Sequence, residues 1–259
     1  QGMSFLQVEG LGKSFGGNHA LIDVSFEVKK GELLAMIGPN GAGKSTCFNM
    51  IYGILAPDQG SVKLDGQELV GMKPRHIWRL GVGRTFQITA VYNSMSVVEN
   101  VQMALISHRK RSFSPLHRAA RLYRDEALKL LELISMADQA DRAANILAYG
   151  DLKRLELAVA LAHKPRLLLM DEPTAGMAPA ERRALMKLTA EIVTERDVCV
   201  LFTEHDMDVV FENAHRLLVL NRGELLAEGS VDDVRADTRV QEIYLGGGST
   251  FTSERVNDA

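Results

Sequence analysis

The sequence predicts an α/β fold with a parallel-sheet core, a β-rich start and a helical insert. Three observations carry that prediction. After Lys164, short apolar runs alternate with amphipathic stretches, the pattern of βαβ units. The first third is rich in Val, Ile, Leu and Phe and is punctuated by Gly and Asn turns. Between roughly Thr89 and Ala162 the apolar residues shift to three- and four-residue spacing.

Taken in order, "FLQVEGL", "HALIDVSFEVKK" and "ELLAMIG" read as strands, and "SVKLDG" adds another after the turn "APDQG". The start leans towards antiparallel pairing. "VVENVQMALISH" and "DEALKLLELISMA" read as amphipathic helices. Beyond Lys164, "RLLLMD", "VCVLFTEH" and "HRLLVLN" read as strands, separated by the helices "APAERRALMKLTAEIV" and "MDVVFENA". We expect one domain over residues 3–246. Its β and parallel-sheet parts come from 3–88 and 163–246, its helical part from 89–162, and 247–259 is a flexible tail. Gln1 and Gly2, ahead of Met3, read as foreign residues and carry no fold information.

Composition narrows the function. The chain has 259 residues, 46% hydrophobic and 24% charged, with a formal net charge of −3. A mildly acidic chain gives no reason to expect nucleic-acid binding. No apolar run approaches the ~18 residues of a membrane-spanning helix, and no signal peptide is evident, so a cytosolic protein is expected. Cys47 and Cys199 read as reduced core residues. The stretch "HRKRSFSPLHRAARLYR", His108 to Arg124, is basic and free of acid. It reads as a solvated face or as a patch for anionic lipid or a partner.

The chemistry begins at Gly38-Pro39-Asn40-Gly41-Ala42-Gly43-Lys44-Ser45, which fits the phosphate-loop pattern G-x-x-x-x-G-K-[ST]. Its glycines let the backbone curl, so that successive N–H groups face a polyphosphate. A strand precedes the loop and the helix "STCFNMIYGIL" follows, adding its N-terminal dipole. Lys44 would neutralise the β- and γ-phosphates. Ser45 would supply its hydroxyl to Mg²⁺, and Thr46 would bond the α-phosphate.

"RLLLMDEP" supplies the matching acids. Asp171 ends a buried strand, where open α/β sheets bind ligands. Asp171 would hold the Mg²⁺ shell and Glu172 would polarise an attacking water. "DEPT" would also suit a capped strand-to-helix turn. His205 ends the next strand, in "VLFTEHDMD", beside the expected γ-phosphate. A lone histidine is often structural; here its place fits a residue that fixes the water and the γ-phosphate.

Together these motifs resemble the ATP-binding cassette (ABC) family of ATPases, from Phe5 to about Gly246. The resemblance implies a P-loop NTPase of the ABC type, with a RecA-like core, an N-terminal antiparallel β subdomain and an inserted helical subdomain. "VGRTFQ" is similar to the family's glutamine loop, which assigns Gln87 to the metal and to sensing a transmembrane partner. Phe15 in "LGKSFGG" matches the aromatic that stacks on adenine, although a core aromatic at a strand end is an alternative. "LAYGD" corresponds to the family's signature loop. Its residues Ala148, Tyr149, Gly150 and Asp151 would then bind the γ-phosphate of ATP held by the opposite subunit. Here Ala148 replaces a serine, Tyr149 the first glycine and Asp151 a glutamine, and Ala178 in "TAGMA" replaces an aspartate. These changes bear on how two subunits couple.

"GRTFQ", the inserted "SFSPLHRAARLYR", "LAYG" and "EIYLGGG" look like the larger ATPase subunit of branched-chain amino-acid importers, whose relatives handle urea, short amides and aromatic acids. The resemblance implies ATP and Mg²⁺ as ligands. It implies two permease subunits and a second ATPase, identical or different, as partners, with an extracytoplasmic binding protein acting indirectly. It implies a cytoplasmic place, peripheral on the inner face of the cell membrane. Two other classes remain in view: a soluble cassette ATPase acting on nucleic acid or ribosomes, and a nucleotide-binding module without catalysis.

Overall fold

The structure, a computed structural model, describes residues 4–85, 91–108 and 123–245. Gln87, nearly all of the basic segment and the tail lie outside the described residues.

The chain opens with a long hairpin, β1 (Ser4–Phe15) and β2 (Asn18–Lys29). β1 also pairs antiparallel with β4 (Gln59–Leu64), and β4 with the short β5 (Gln67–Glu68), giving a sheet of order β2-β1-β4-β5. β3 (Leu33–Ile37) leaves this sheet and takes the centre of a second one. There it pairs in parallel with β8 (Cys199–Thr203) and β9 (Arg216–Asn221). β7 (Leu167–Asp171) and β6 (Val82–Thr85) extend the sheet on one side, and β10 (Glu224–Gly229) adds an antiparallel edge on the other. "ELLAMIG" thus belongs with the parallel strands.

β3, β7 and β8 are buried at every position, the pattern of parallel strands covered on both faces. Alternation along β3 divides the core in two. Leu33, Ala35 and Ile37 join one apolar cluster; Leu34 and Met36 join another, with Phe5 and Val24 of the hairpin and with Phe48 and Ile51 of α1 (Lys44–Ile51). Phe48 and Phe202 have no exposed surface. Burying each contributes about 1.5–3 kcal/mol relative to leaving it in water.

The helices follow the sequence closely. α2 (Pro74–Arg79) is short and begins with proline, which suits a first helical turn. α3 (Val97–His108), α4 (Arg124–Leu133) and α5 (Tyr149–Leu161) pack on one another between β6 and β7. The run "DEALKLLELISMA" stops being helical at Leu133, because Ser135 adopts a left-handed backbone (φ 56°). α6 (Pro179–Arg196) starts with proline, and the Glu181 carboxylate accepts from the Ala178 N–H at 3.2 Å. α7 (Met207–Asn213) is capped by Asp206, whose carboxylate accepts from Val209 N–H. α8 (Val231–Ala236) and α9 (Thr238–Leu245) close the described chain. Cys47 and Cys199 are free and buried. Arg124, at the end of the basic segment, pairs with Asp141 at 2.7 Å.

Trp78 of α2 meets His108 of α3 and His163 after α5 edge-on, and the two imidazoles lie tilted to each other, with ring centroids 4.8–5.9 Å apart. Burial, helped by His108, pushes the His163 imidazole down to about 4. Its Nδ1 is buried without a hydrogen-bond partner. Below the ordinary value of 6.5 the unfolded chain binds a proton that the folded chain refuses until about pH 4. His163 therefore stabilises the fold fully above pH 6.5 and loses that contribution as pH falls towards 4. In denaturant titrations over this window, His163→Phe should show a shallower fall of unfolding free energy than wild type. Equal slopes would contradict the assignment.

Candidate functional site

The glycine loop is squeezed between two neighbours. Gly38 has φ 151°, and a Cβ there would lie 2.1 Å from the Leu220 carbonyl oxygen at the end of β9. Gly43 has φ 105°, and a Cβ there would meet Leu21 and the Ala20 carbonyl of β2 at 2.5 and 2.6 Å. No residue with a side chain fits either position. The loop closes on itself through Ala42 N–H to Pro39 O (3.1 Å). It is tied to the β9–β10 turn by Gly223 N–H to Ala42 O (3.1 Å), and Ile22 N–H of β2 donates to Gly223 O (2.7 Å). Pro39, Asn40, Gly41 and Ser45 are exposed and Thr46 is half-buried. No side chain caps α1, so the first N–H groups of the helix remain available to an anion.

Lys44 lies folded over this loop, with Nζ donating to the Gly38 and Pro39 carbonyls at 2.7 and 3.2 Å. Burial holds its pKa below the usual lysine range, an effect the Glu172 and Asp171 carboxylates oppose.

Asp171 ends β7 and is nearly buried. Its Oδ1 accepts from Thr203 Oγ1 at 2.8 Å, and its Oδ2 faces Arg84 Nη2 at 3.4 Å. Arg84 also donates to Asn49 Oδ1 of α1 at 2.8 Å, joining the strand before Gln87 to both the loop helix and Asp171. Glu172 has a left-handed backbone (φ 49°), uncommon for a residue with a side chain. Its N–H donates to Thr203 O and Oγ1 at 3.1 and 3.0 Å. Its Oε1 lies 2.8 Å from His205 Nε2. The lone histidine of "TEH" is thus in contact with the second acid of "DEP". The "DEPT" turn bears no resemblance to a simple helix cap, since α6 begins only at Pro179.

Phe15 is 49% exposed at the turn end of the β1–β2 hairpin, with Lys13 Nζ 5.7 Å from its ring centroid. The alternative of a core aromatic is thereby excluded. "LAYGD" opens α5: Ala148 is the N-cap, with no side-chain bond, and Tyr149, Gly150 and Asp151 form the first turn. Gly150 is pressed against Glu181, whose Oε1 would lie 2.7 Å from a Cβ. The Tyr149 ring lies over Gly176. The Asp151 carboxylate is engaged by Gln139 Nε2 (3.5 Å) and Arg154 (4.0 Å). Its charge is therefore tied within its own chain, at a helix N-terminus that favours it.

Three participants were not singled out by sequence reasoning: Arg84, Thr203 and Glu204. The signal for the last two is their place beside His205: Thr203 ends the buried strand and Glu204 follows it. Among the described residues no cluster of three His, Cys, Asp or Glu side chains could hold a metal. Ser45 and Asp171 offer the oxygen donors that Mg²⁺ prefers, and Mg²⁺ is ordinarily held by one or two such groups together with substrate phosphates. The residues present fit that mode.

The comparisons agree with this geometry. Residues 21–175 match the ABC transporter family, and residues 224–250 match the branched-chain amino acid ATP-binding cassette transporter family. The chain is similar to BraF of Pseudomonas aeruginosa, a high-affinity branched-chain amino acid transport ATP-binding protein. They are 38% identical over 248 residues, 93% of this chain and 97% of BraF. LivG of Escherichia coli K12, described in the same words, matches with the same identity and coverage. Among solved structures, the ADP conformation of MJ1267, an ATP-binding cassette of an ABC transporter, matches with TM-score 0.82 and 33% identity, covering 94% of this chain and 99% of that one. The dimeric post-hydrolysis state of the cassette MJ0796, bound to ADP and Pi, matches with TM-score 0.73 and 26% identity, covering 87% and 98%. A glycine loop, an acidic strand end and a histidine gathered on one sheet edge, with relatives of this extent, place the chain in the ABC transporter family, as a nucleotide-binding ATPase with that family's P-loop fold.

Proposed function

We propose that the chain powers an importer of branched-chain amino acids by hydrolysing ATP. The observation that carries the mechanism is the contact of His205 with Glu172 beside the glycine loop. The substrate rests on the BraF and LivG relatives and on the match at residues 224–250. Kinship with importers of urea, amides or aromatic acids leaves those as the second reading of the cargo.

In this reading Phe15 stacks on adenine, and the backbone N–H groups of residues 38–46 surround the phosphates. Lys44 exchanges its carbonyl partners for β- and γ-phosphate oxygens. Mg²⁺, held by Ser45, Asp171 and Gln87, would neutralise phosphate charge. Glu172 takes the proton from the attacking water. Its Oε1 is oriented by His205, which leaves Oε2 for that proton. Water then attacks the γ-phosphate in line with the leaving oxygen. Ala148, Tyr149, Gly150 and Asp151 serve the ATP of the opposite subunit, so the loop binds nucleotide alone but hydrolyses it well only in a pair. Residues 3–246 form one ATPase domain whose helical part, 89–162, carries that trans-acting loop.

Two such ATPase subunits, identical or different, close around ATP beneath two permeases, and an extracytoplasmic binding protein delivers the cargo. Among the described residues no helix is long and apolar enough to cross a membrane. A place on the inner face of the cell membrane, held by the permeases, follows from this reading. A role on nucleic acid finds no support in a net charge of −3.

Two outcomes test the proposal. With permeases and binding protein present, Glu172→Gln should lower the ATP turnover number by roughly 10²–10⁴-fold, the usual worth of general-base catalysis. Equal turnover by the two proteins would remove Glu172 from that role. Removing the ring in Phe15→Ala should weaken binding of a fluorescent ATP analogue by roughly 2–10-fold, the value of one stacking pair, while Phe15→Tyr preserves it. Unchanged affinity in Phe15→Ala would place adenine elsewhere.

A further inference from the structure

Glu204 is a glutamate with 4% of its surface exposed, set between Thr203, the last residue of β8, and His205. Three donors converge on its carboxylate. Oε1 accepts from Thr174 N–H at 2.8 Å and from Thr174 Oγ1 at 2.6 Å, and Oε2 accepts from the His205 N–H at 3.2 Å. Thr174 is itself 1% exposed. Buried carboxylates persist where donors replace water, and this one spans two segments of the catalytic edge.

The segment it fastens is Glu172-Pro173-Thr174. Its first residue is held by Thr203 O and Oγ1, in the left-handed conformation described above. Its third is held by Glu204. A strained backbone persists only where its surroundings over-determine it, and here the last residue of β8 and the residue after it supply the two fixings, one on each side of Pro173. The second fixing also reaches the backbone of His205, whose ring meets Glu172 at 2.8 Å. The base, its orienting histidine and the turn between them therefore form one closed ring of contacts.

We infer that Glu204 is a positioning residue for hydrolysis: its carboxylate binds the Glu172–Thr174 turn to the backbone of His205 and so keeps the Glu172 carboxylate aimed at the His205 ring. This rests on the roles proposed above for Glu172 and His205. The chemistry demands a carboxylate. Both oxygens face backbone N–H groups, and a carboxylate is acceptor-only. A glutamine of the same shape would turn its NH₂ towards one of those N–H groups, donor against donor, and release one side of the ring.

The test uses the full chain, assembled with its permeases for turnover and alone for binding. Glu204→Gln should lower the turnover number on the order of 10²-fold, the cost of a small misplacement of a catalytic group. KM for ATP and the dissociation constant of a fluorescent ATP analogue should stay within about twofold. Thr174→Val, which removes one donor and keeps the N–H, should give a smaller loss of the same kind. It carries the test if Glu204→Gln does not fold. Hydrogen exchange in peptides covering residues 172–177 and 203–207 should quicken in Glu204→Gln. Turnover within about threefold of wild type in Glu204→Gln, or in Thr174→Val if that variant must serve alone, would overturn the inference, as would a rise of KM matching the loss of turnover. Glu172→Gln measured in parallel separates the two readings. If it is active, the base assignment falls. If it is inactive beside an active Glu204→Gln, only the role of Glu204 falls.

Discussion

One row of residues across the parallel sheet fixes where chemistry can happen. Met36 of β3 pairs with Thr203 of β8, and Thr203 pairs with Asp171 of β7. Because the three strands run parallel in this register, each chain leaves the sheet on the same side, one or two residues later. β3 enters the glycine loop, β8 enters Glu204 and His205, and β7 enters Glu172. A slip of one residue would turn every side chain of a strand to its other face. Close packing on both faces opposes such a slip, because Leu34 and Met36 fill one cluster while Leu33, Ala35 and Ile37 fill the other, and exchanging the two sets would spoil the fit of each. Core packing and active-site geometry are thus the same constraint.

Thr203 converts that register into hydrogen bonds. Its hydroxyl donates to Asp171 and accepts from the Glu172 N–H, so one side chain on the central strands sets both acids. Arg84 completes the arrangement from the other side, bridging Asp171 to Asn49 of the loop helix. A buried charge pair of this kind contributes little net stability but is costly to break from one side. Its effect here is to fix the Asp171 carboxylate relative to the helix that carries Ser45.

Much of this was legible in the sequence, and the boundary has a physical basis. The glycine loop was readable because its residue types answer local demands: Gly38 and Gly43 lie where backbone approach excludes a Cβ, and Lys44 follows on the helix they open. The long helices are readable by their period and the buried strands by their unbroken apolar runs. The contacts of Arg84 with Asp171 and of Glu204 with Thr174 join positions 87 and 30 residues apart, and no local pattern reports them. β6, "VGRT", is too short and too polar to read as a strand, yet it is the edge of the parallel sheet. The end of α4 depends on the left-handed Ser135, which apolar spacing does not reveal. A strand-end aromatic such as Phe15 suits a core or a solvent face equally in sequence, and its exposure removes only the core alternative. Gln87 and residues 109–122 lie outside the described residues.

The central claim is that the carboxyl ends of β3, β7 and β8 make a single site for a γ-phosphate. A structure of the Glu172→Gln chain with ATP bound tests it most directly. The account predicts that Lys44 Nζ leaves the Gly38 and Pro39 carbonyls for β- and γ-phosphate oxygens. It predicts that residue 172 and His205 both come within hydrogen-bond reach of the γ-phosphate or its attacking water. A triphosphate bound with Lys44 still on its own loop, or with His205 remote from the γ-phosphate, would contradict it.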